Sequence, residues 1–287
     1  MLLVFGSINL DIAMRAQRLP LPGETILGKD CVISPGGKGA NQAHAAARYG
    51  MATALFGAVG ADAFAAPALA GLEQAGVDLG GVQRLPGRTG CASIIVDDAG
   101  QNQIVVASGV NLAVRQDAIS DAALKRARAV LLQMETDPAE NWKLITRARA
   151  LGCRILLNNA PAHPLPARVL AAIDVLVVNQ IELSQTAELS PETLVHDFGL
   201  TLVLTLGEQG ARCWSGGENF QQAAAKVDVV DTTGAGDTFA GVLGAALIEG
   251  RAMADAIRIA NAAAALSCTR VGAQIAQPSR AEIEAAL

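Results

Sequence analysis

The chain has 287 residues, of which 51% are apolar and only 17% charged, enough to bury the core of one large α/β unit and too apolar for a disordered chain. A formal net charge of −5, with no Lys/Arg run, gives no basis for a nucleic acid or an anionic membrane surface as partner. Five scattered cysteines without a CxxC pair fit reduced thiols of a cytoplasmic protein rather than a disulfide framework or a zinc site, and no apolar run reaches the length of a membrane span.

In chain order, Leu2–Phe5 reads as a first core strand rather than a targeting leader. Gly6-Ser-Ile-Asn9-Leu-Asp11 follows it. In an extended segment Asn9 and Asp11 share a face, where an amide and a carboxylate suit adjacent hydroxyls of a polyol; local turn bonding is the other role for these residue types. Asp11–Ile33, with Leu19-Pro-Leu-Pro-Gly23 at its centre, breaks the strand–helix rhythm. Gly36-Gly37-Lys38-Gly39-Ala40-Asn41-Gln42 then opens a helix over Lys38–Tyr49. It is not a Walker A loop, since Val32 stands at the first glycine and no Ser or Thr follows Lys38, nor does it have the glycine spacing of a dinucleotide fold. Its glycines are expected to let backbone approach a ligand, with Lys38 and Asn41 supplying a cation and an amide.

Thr53–Val59 reads as a strand and Ala63–Ala75 as a helix; Ala92–Asp97 and Gln103–Ala107 flank Asp98-Ala-Gly-Gln101 as a hairpin. Strands follow at Ala129–Met134, Arg154–Leu157, Val175–Val178 and Thr201–Leu206, with helices at Pro138–Leu151 and Glu182–Glu188. The alternation implies a mostly parallel sheet with helices on both faces. The two interruptions, about 11–33 and 89–107, imply a small β-sheet lid over the ends of the main sheet.

Glu135 is placed at the end of one strand, and Asn179 and Glu182 follow another, where ligands gather in open α/β sheets. Thr205-Leu206-Gly207-Glu208-Gln209-Gly210 offers a flexible loop of nucleotide size. Val227, Val229 and Val230 read as a strand leading into Asp231-Thr-Thr-Gly234-Ala235-Gly236-Asp237-Thr-Phe-Ala-Gly241, which runs into a helix ending near Glu249. Unpaired N–H groups and the positive dipole end of that helix make its start an anion site. A carboxylate there, Asp237, suits a general base, although it could equally serve the helix dipole alone. Ser279–Leu287 reads as a closing helix. His44, Trp142 and Trp214 are read as packing residues, and His163 and His196 as solvated.

Taken together, these motifs resemble the ribokinase-like (phosphofructokinase-B) family of carbohydrate kinases over essentially the whole chain. Pro22-Gly-Glu-Thr25, Ala262–Ala265 and Thr269-Arg-Val-Gly-Ala-Gln274 add to those already quoted. The resemblance implies a three-layer α/β/α sandwich with a mostly parallel sheet and a small β lid, in a single domain over 1–287. It implies ATP-dependent phosphorylation of D-ribose at its 5-hydroxyl; another small alcohol (a nucleoside, a ketohexose, 2-keto-3-deoxygluconate) is the alternative, and a non-catalytic sensing protein a more distant one.

Carried onto this chain, the resemblance makes Asp237 the base and the amides of Gly234, Ala235 and Gly236 the anion hole. Asn9, Asp11, Gly37, Lys38, Gly39, Asn41 and Glu135 would hold the sugar together with Asp237. Asn179, Thr205–Gly210, Gly236 and Asn261 would bind ATP, and Glu182 would hold Mg²⁺ through water. A monovalent cation, K⁺, would sit at Asp231, Thr233, Ser267, Arg270 and Gly272. The chain departs from the family at Ile275-Ala276, where Pro-Ser is usual, and is short between Glu182 and Thr201. A homodimer through the lids is also implied, since lid strands leave an edge and an apolar face to cover.

Overall fold

A computed structural model describes all 287 residues, Met1 to Leu287. The chain opens with β1 (Leu2–Phe5), β2 (Asn9–Arg15) and β3 (Asp30–Gly36), then α1 (Lys38–Arg48), β4 (Thr53–Gly60), α2 (Ala65–Gln74) and β5 (Asp78–Leu85). The hairpin β6 (Gly90–Val96) and β7 (Asn102–Ala107) precedes α3 (Asp121–Arg126), β8 (Ala129–Leu132), α4 (Pro138–Ala150) and β9 (Arg154–Asn158). Next come α5 (Ala167–Leu170), β10 (Val175–Asn179), α6 (Gln180–Thr186), α7 (Pro191–Phe198), β11 (Thr201–Thr205), β12 (Ala211–Ser215) and β13 (Glu218–Gln222). Three helices, α8 (Ala235–Glu249), α9 (Met253–Ser267) and α10 (Arg280–Ala285), close the chain.

The main sheet has nine strands in the order β13-β12-β11-β10-β9-β8-β1-β4-β5, parallel except where β12 runs against both neighbours. Alternation along β1 decides which side chain goes where: Leu2 and Val4 enter the core under α1, α2, α8 and α9, while Leu3 and Phe5 enter the core under α3, α4, α5 and α7. Strands buried on both faces read as the continuous apolar runs seen in the sequence.

Helix α8 is exceptional among the helices. Asp237 through Ile248 are all buried, so it has no solvent face and lies between α1 and α9. Gly241 permits this, because a Cβ there would stand 2.3 Å from the Gln42 carbonyl oxygen. Crossing α1 at that distance brings the first turn of α8 against Asn41 and Gln42.

The lid is a separate four-stranded sheet in the order β3-β2-β6-β7, built from the two excursions expected. Its first strand begins at Asn9 rather than Asp11 and its second ends at Gly36, so both run directly out of glycine turns beneath it. Three further points differ from the sequence reading. Val227–Val230 is not a strand but an irregular, largely exposed segment, with Val229 and Val230 about 60% exposed; Val227 and Val229 line a cleft instead of pairing in the sheet. The hairpin β12–β13 and the partly buried β5 lie at the sheet edges, where mixed polar sequence hides the strand pattern. Strand β8 stops at Leu132, three residues before Glu135. No helix is long and apolar enough to cross a membrane.

Candidate active site

The polar residues singled out from sequence collect above the C-terminal ends of β1, β8, β9, β10 and β11, beneath the lid. The glycines of Gly36-Gly-Lys-Gly39 allow close approach within the chain itself. Gly37, at φ +89°, would place a Cβ 2.7 Å from the Asn9 amide nitrogen, and Gly39 one 2.6 Å from the Gly6 carbonyl carbon. They let α1 begin directly against the Gly6–Asn9 turn of the chain itself. Gly36 leaves room for the Asp11 carboxylate, which a Cβ would meet at 2.1 Å.

On this packed base a cluster of polar side chains is assembled. Glu135 Oε2 accepts from Ser7 Oγ (2.6 Å) and from the Lys38 backbone N–H (3.0 Å), which fixes the carboxylate and leaves Oε1 without a protein partner. Asn9 Oδ1 accepts from Asn111 Nδ2 at 2.7 Å, while Asn111 Oδ1 accepts from the Ile8 N–H at 2.9 Å. Asn9 therefore has its Nδ2 donor available beside the carboxylate of Asp11. Burial first, then the nearby Glu135 and Asp237 carboxylates, push the Asp11 carboxyl up to about 6. Lys38 is raised above the ordinary lysine value chiefly by Asp237, with Glu135 and Glu182 adding to this against burial. The ammonium group thus feels both the sugar-side carboxylate and the one on α6.

Asp237 is buried in the first turn of α8. Its Oδ2 accepts from Asn41 Nδ2 and its Oδ1 from Gln42 Nε2, each at 3.0 Å. Gly234 caps the helix at φ +73°, a conformation closed to most residues, and a Cβ there would press on Ala273 at 3.0 Å. The N–H groups of Gly234 and Gly236 have no protein partner. That of Ala235 turns back to the Thr232 carbonyl at 3.2 Å, so two of the three expected anion-hole amides are free.

On the far side of this turn lies a cleft of about 910 Å³, the size of a nucleotide site. Thr205, Gly207–Gly210, Ala235 and Gly236 line it, with Val227, Val229, Phe239, Ala264 and Ala265 as apolar walls. Asn261 also lines it and donates to the Gln222 carbonyl at 2.9 Å, which ties down the segment carrying the valines. Two expected nucleotide residues lie off this wall. Leu206 packs against the core, because alternation at the end of β11 turns it inward. Asn179 is the N-cap of α6, accepting from the Glu182 N–H while Glu182 Oε2 accepts from the Asn179 N–H, both at 2.8 Å. Glu182 keeps Oε1 free; burial raises its carboxyl, opposed by the Asn179 bond and Lys38.

Of the residues expected around a cation, Asp231, Thr233 and Gly272 come together. Asp231 Oδ1 accepts from Thr233 N–H (2.9 Å) and Oγ (2.6 Å), and Oδ2 from the Gly272 N–H (2.8 Å). Burial would raise this carboxyl, but those bonds hold it below the ordinary value. The Arg270 guanidinium turns away to Glu282, Ser267 Oγ donates to the Ala264 carbonyl, and Ala276 is fully buried without a hydroxyl. Among other residues, His44 is buried against Gln277 and Trp214 is in the core, as packing residues should be. His196 is exposed and His163 is half-buried.

Sequence reasoning missed Ser7, Gln42 and Asn111, which touch the expected residues, and Gln133, which touches Gln42. A buried carboxylate held by Asn41 and Gln42, next in the chain to an amide that lines a nucleotide-sized cleft, suits transfer of a phosphoryl group to a small alcohol. The chain belongs to the pfkB family of carbohydrate kinases, whose model matches residues 1–280. It is 35% identical to a ribokinase of Lactococcus lactis over 99% of this chain and 96% of that protein. Among solved structures, a ribokinase of Thermotoga maritima superposes with a TM-score of 0.90 at 30% identity, covering 99% of this chain and 98% of that one. A ribokinase of Arabidopsis thaliana, in a complex with ribose and ATP, gives a TM-score of 0.90 at 32% identity, covering 99% and 97%.

Proposed function

We propose that this kinase transfers the γ-phosphoryl of ATP to the 5-hydroxyl of D-ribose. The observation that carries the reading is the position of Asp237, buried between the polar cluster and the free amides that open onto the cleft. Ribose is favoured because relatives that match nearly the full chain are ribokinases, one of them in a complex with ribose and ATP.

In this reading Asn9 donates and Asp11 and Glu135 accept hydrogen bonds from the sugar hydroxyls, supported by Lys38 and Asn41. The carboxylate of Asp237 takes the proton of the attacking hydroxyl as the O–P bond forms, and ADP leaves with the electrons of the broken bond. The free amides of Gly234 and Gly236, at the positive end of α8, stabilise charge on the transferred group. ATP lies in the cleft against Thr205, Gly207–Gly210 and Asn261. The free Oε1 of Glu182 suits water-mediated Mg²⁺, which would neutralise phosphate charge. A K⁺ beside the anion loop would rest mainly on backbone carbonyls of Asp231, Thr233, Ser267, Arg270 and Gly272, because the Asp231 carboxylate is already bonded and Ala276 offers no hydroxyl.

The lid leaves Val32, Ile33, Ile104, Val105 and Val106 exposed along its edge strands, which favours a homodimer with lids in contact. Five free cysteines favour a reducing cytoplasm.

A panel of ribose, ketohexoses, 2-keto-3-deoxygluconate and adenosine with ATP, run with and without K⁺, tests the substrate. Ribose should give the highest kcat/KM, and activity on adenosine with none on ribose would remove it. No ADP formation with any acceptor would favour a sensor.

A further inference from the structure

We infer that Gln42, Gln133 and Gln274 are positioning residues for the transfer step, forming two one-way chains of amides that end on the two oxygens of Asp237. The inference rests on the reading of Asp237 as the base.

An ionised carboxylate only accepts hydrogen bonds, so an amide that meets it must present its N–H₂. Gln42 does so towards Oδ1, and its second N–H goes to Asn158 Oδ1 at 3.0 Å. Its carbonyl must then face away and needs a donor, which Gln133 Nε2 supplies at 2.9 Å. The carbonyl of Gln133 is in turn directed away from any donor. It lies against Gly6, where a Cβ would stand 1.9 Å from Oε1. On the other side, Asn41 Nδ2 meets Oδ2, and Asn41 Oδ1 accepts from Gln274 Nε2 at 3.2 Å.

Two buried side-chain polar atoms have no hydrogen-bond partner within the protein, and they are Gln133 Oε1 and Gln274 Oε1. Each is the outer end of one of these chains. Leaving a buried acceptor unpaired is unfavourable, so the pattern is not what packing alone selects. It follows from fixing both chains at the carboxylate. Two chains of two amides each, N–H groups inward, hold the Asp237 oxygens in one rotation and turn the positive ends of their dipoles towards them. The amides carry no net charge, so the chains orient Asp237 without neutralising it, and the Lys38 ammonium is the charged group that acts on it.

The test compares isosteric variants in two backgrounds. In the wild-type background, Gln42→Met should lower kcat about tenfold or more, and Gln133→Met or Gln274→Met about threefold, with dissociation constants for ribose and ATP changed less than about twofold. Gln133→Met removes one orphaned acceptor and creates another at Gln42 Oε1, so its Tm should stay close to wild type while kcat falls. Gln42→Met with Gln133→Met should cost no more than Gln42→Met alone, because both act through one chain.

In the Asp237→Asn background none of the three should lower the residual turnover further. An equal loss in that background, a loss confined to binding, or unchanged kcat in folded Gln42→Met and Gln133→Met would overturn the inference. Wild-type turnover by Asp237→Asn itself would instead overturn the assignment of the base.

Discussion

Gly241 of α8 lies against the carbonyl oxygen of Gln42 so closely that a Cβ would come within 2.3 Å of it. The contact is backbone on backbone, one turn beyond Asp237, and it sets how near the base comes to the amides of α1. Gly241→Ala cannot be absorbed by a side-chain rotation. It is expected to destabilise by about 1–3 kcal/mol, the usual cost of overpacking a tight interior, and to lower kcat as the helices part. Thermal unfolding and steady-state assays check this; wild-type Tm and kcat would mean that the two helices are not held by this contact.

Asp237→Asn keeps the size and much of the hydrogen bonding of the residue while removing its capacity to take a proton. Turnover should fall by about 10²–10⁴, the range that general base catalysis contributes. Binding of ribose and ATP, measured by calorimetry, should persist. Near-normal turnover would leave the base unassigned.

Asn111 does not reach an evident ligand space, yet it fixes which face of the Asn9 amide is presented. In Asn111→Ala, Asn9 Oδ1 and the Ile8 N–H both lose their partner in a buried setting, which typically costs about 1–3 kcal/mol per unsatisfied group. Part of that should appear as weaker ribose binding, about tenfold, as Asn9 becomes free to rotate. ATP affinity should not change. Equal weakening of both ligands would indicate general loosening of the site instead.

The raised Asp11 carboxyl makes sugar binding pH-dependent. Asp11 is faced by the carboxylates of Glu135 and Asp237, with the Lys38 ammonium close to both of these. Because its folded value of about 6 lies above the ordinary 3.8, the sugar-free protein draws stability from the protonated form at low pH and loses it as pH rises through about 6. A sugar hydroxyl that donates to Asp11 needs the ionised form, so ribose affinity should fall as pH drops below about 6, approaching tenfold per unit. Asp11→Asn should bind more weakly and flatten that dependence. A profile that persists in Asp11→Asn would place the titrating group elsewhere.

Much of the scaffold is legible in the chain because it is locally encoded. Buried strand segments such as Leu2–Phe5 and Val175–Val178 are uninterrupted apolar runs, and Gly234 sits where only a left-handed residue can cap α8. What fails is either local ambiguity or long-range geometry. Val227–Val230 has strand composition, but Val227 and Val229 serve as a cleft wall, a role that apolar sequence alone cannot separate from pairing. Gln42 lies beside Asn41 in a conspicuous motif, yet its partner is 195 positions away and is brought to it only by the α1–α8 crossing. Asn111 and Gln133 are single polar residues among apolar ones, with no periodic pattern to betray them. The departure at Ile275-Ala276 was visible from the start, whereas the prior commitment of the Asp231 carboxylate to Thr233 and Gly272 was not.

Strand β2 carries Asn9 and Asp11 near one end and Arg15 at the other, and it belongs to the lid sheet, not the main one. Two of the groups proposed to grip the sugar, Asn9 and Asp11, are therefore fixed to the cover, while Lys38, Glu135, Asp237 and the anion loop are fixed to the body. Any tilt of the cover shifts grip and base relative to each other, so capturing the acceptor and aiming it become a single mechanical event. A sugar of the wrong length would be held as firmly and yet arrive off line, which makes turnover a stricter judge of the acceptor than binding.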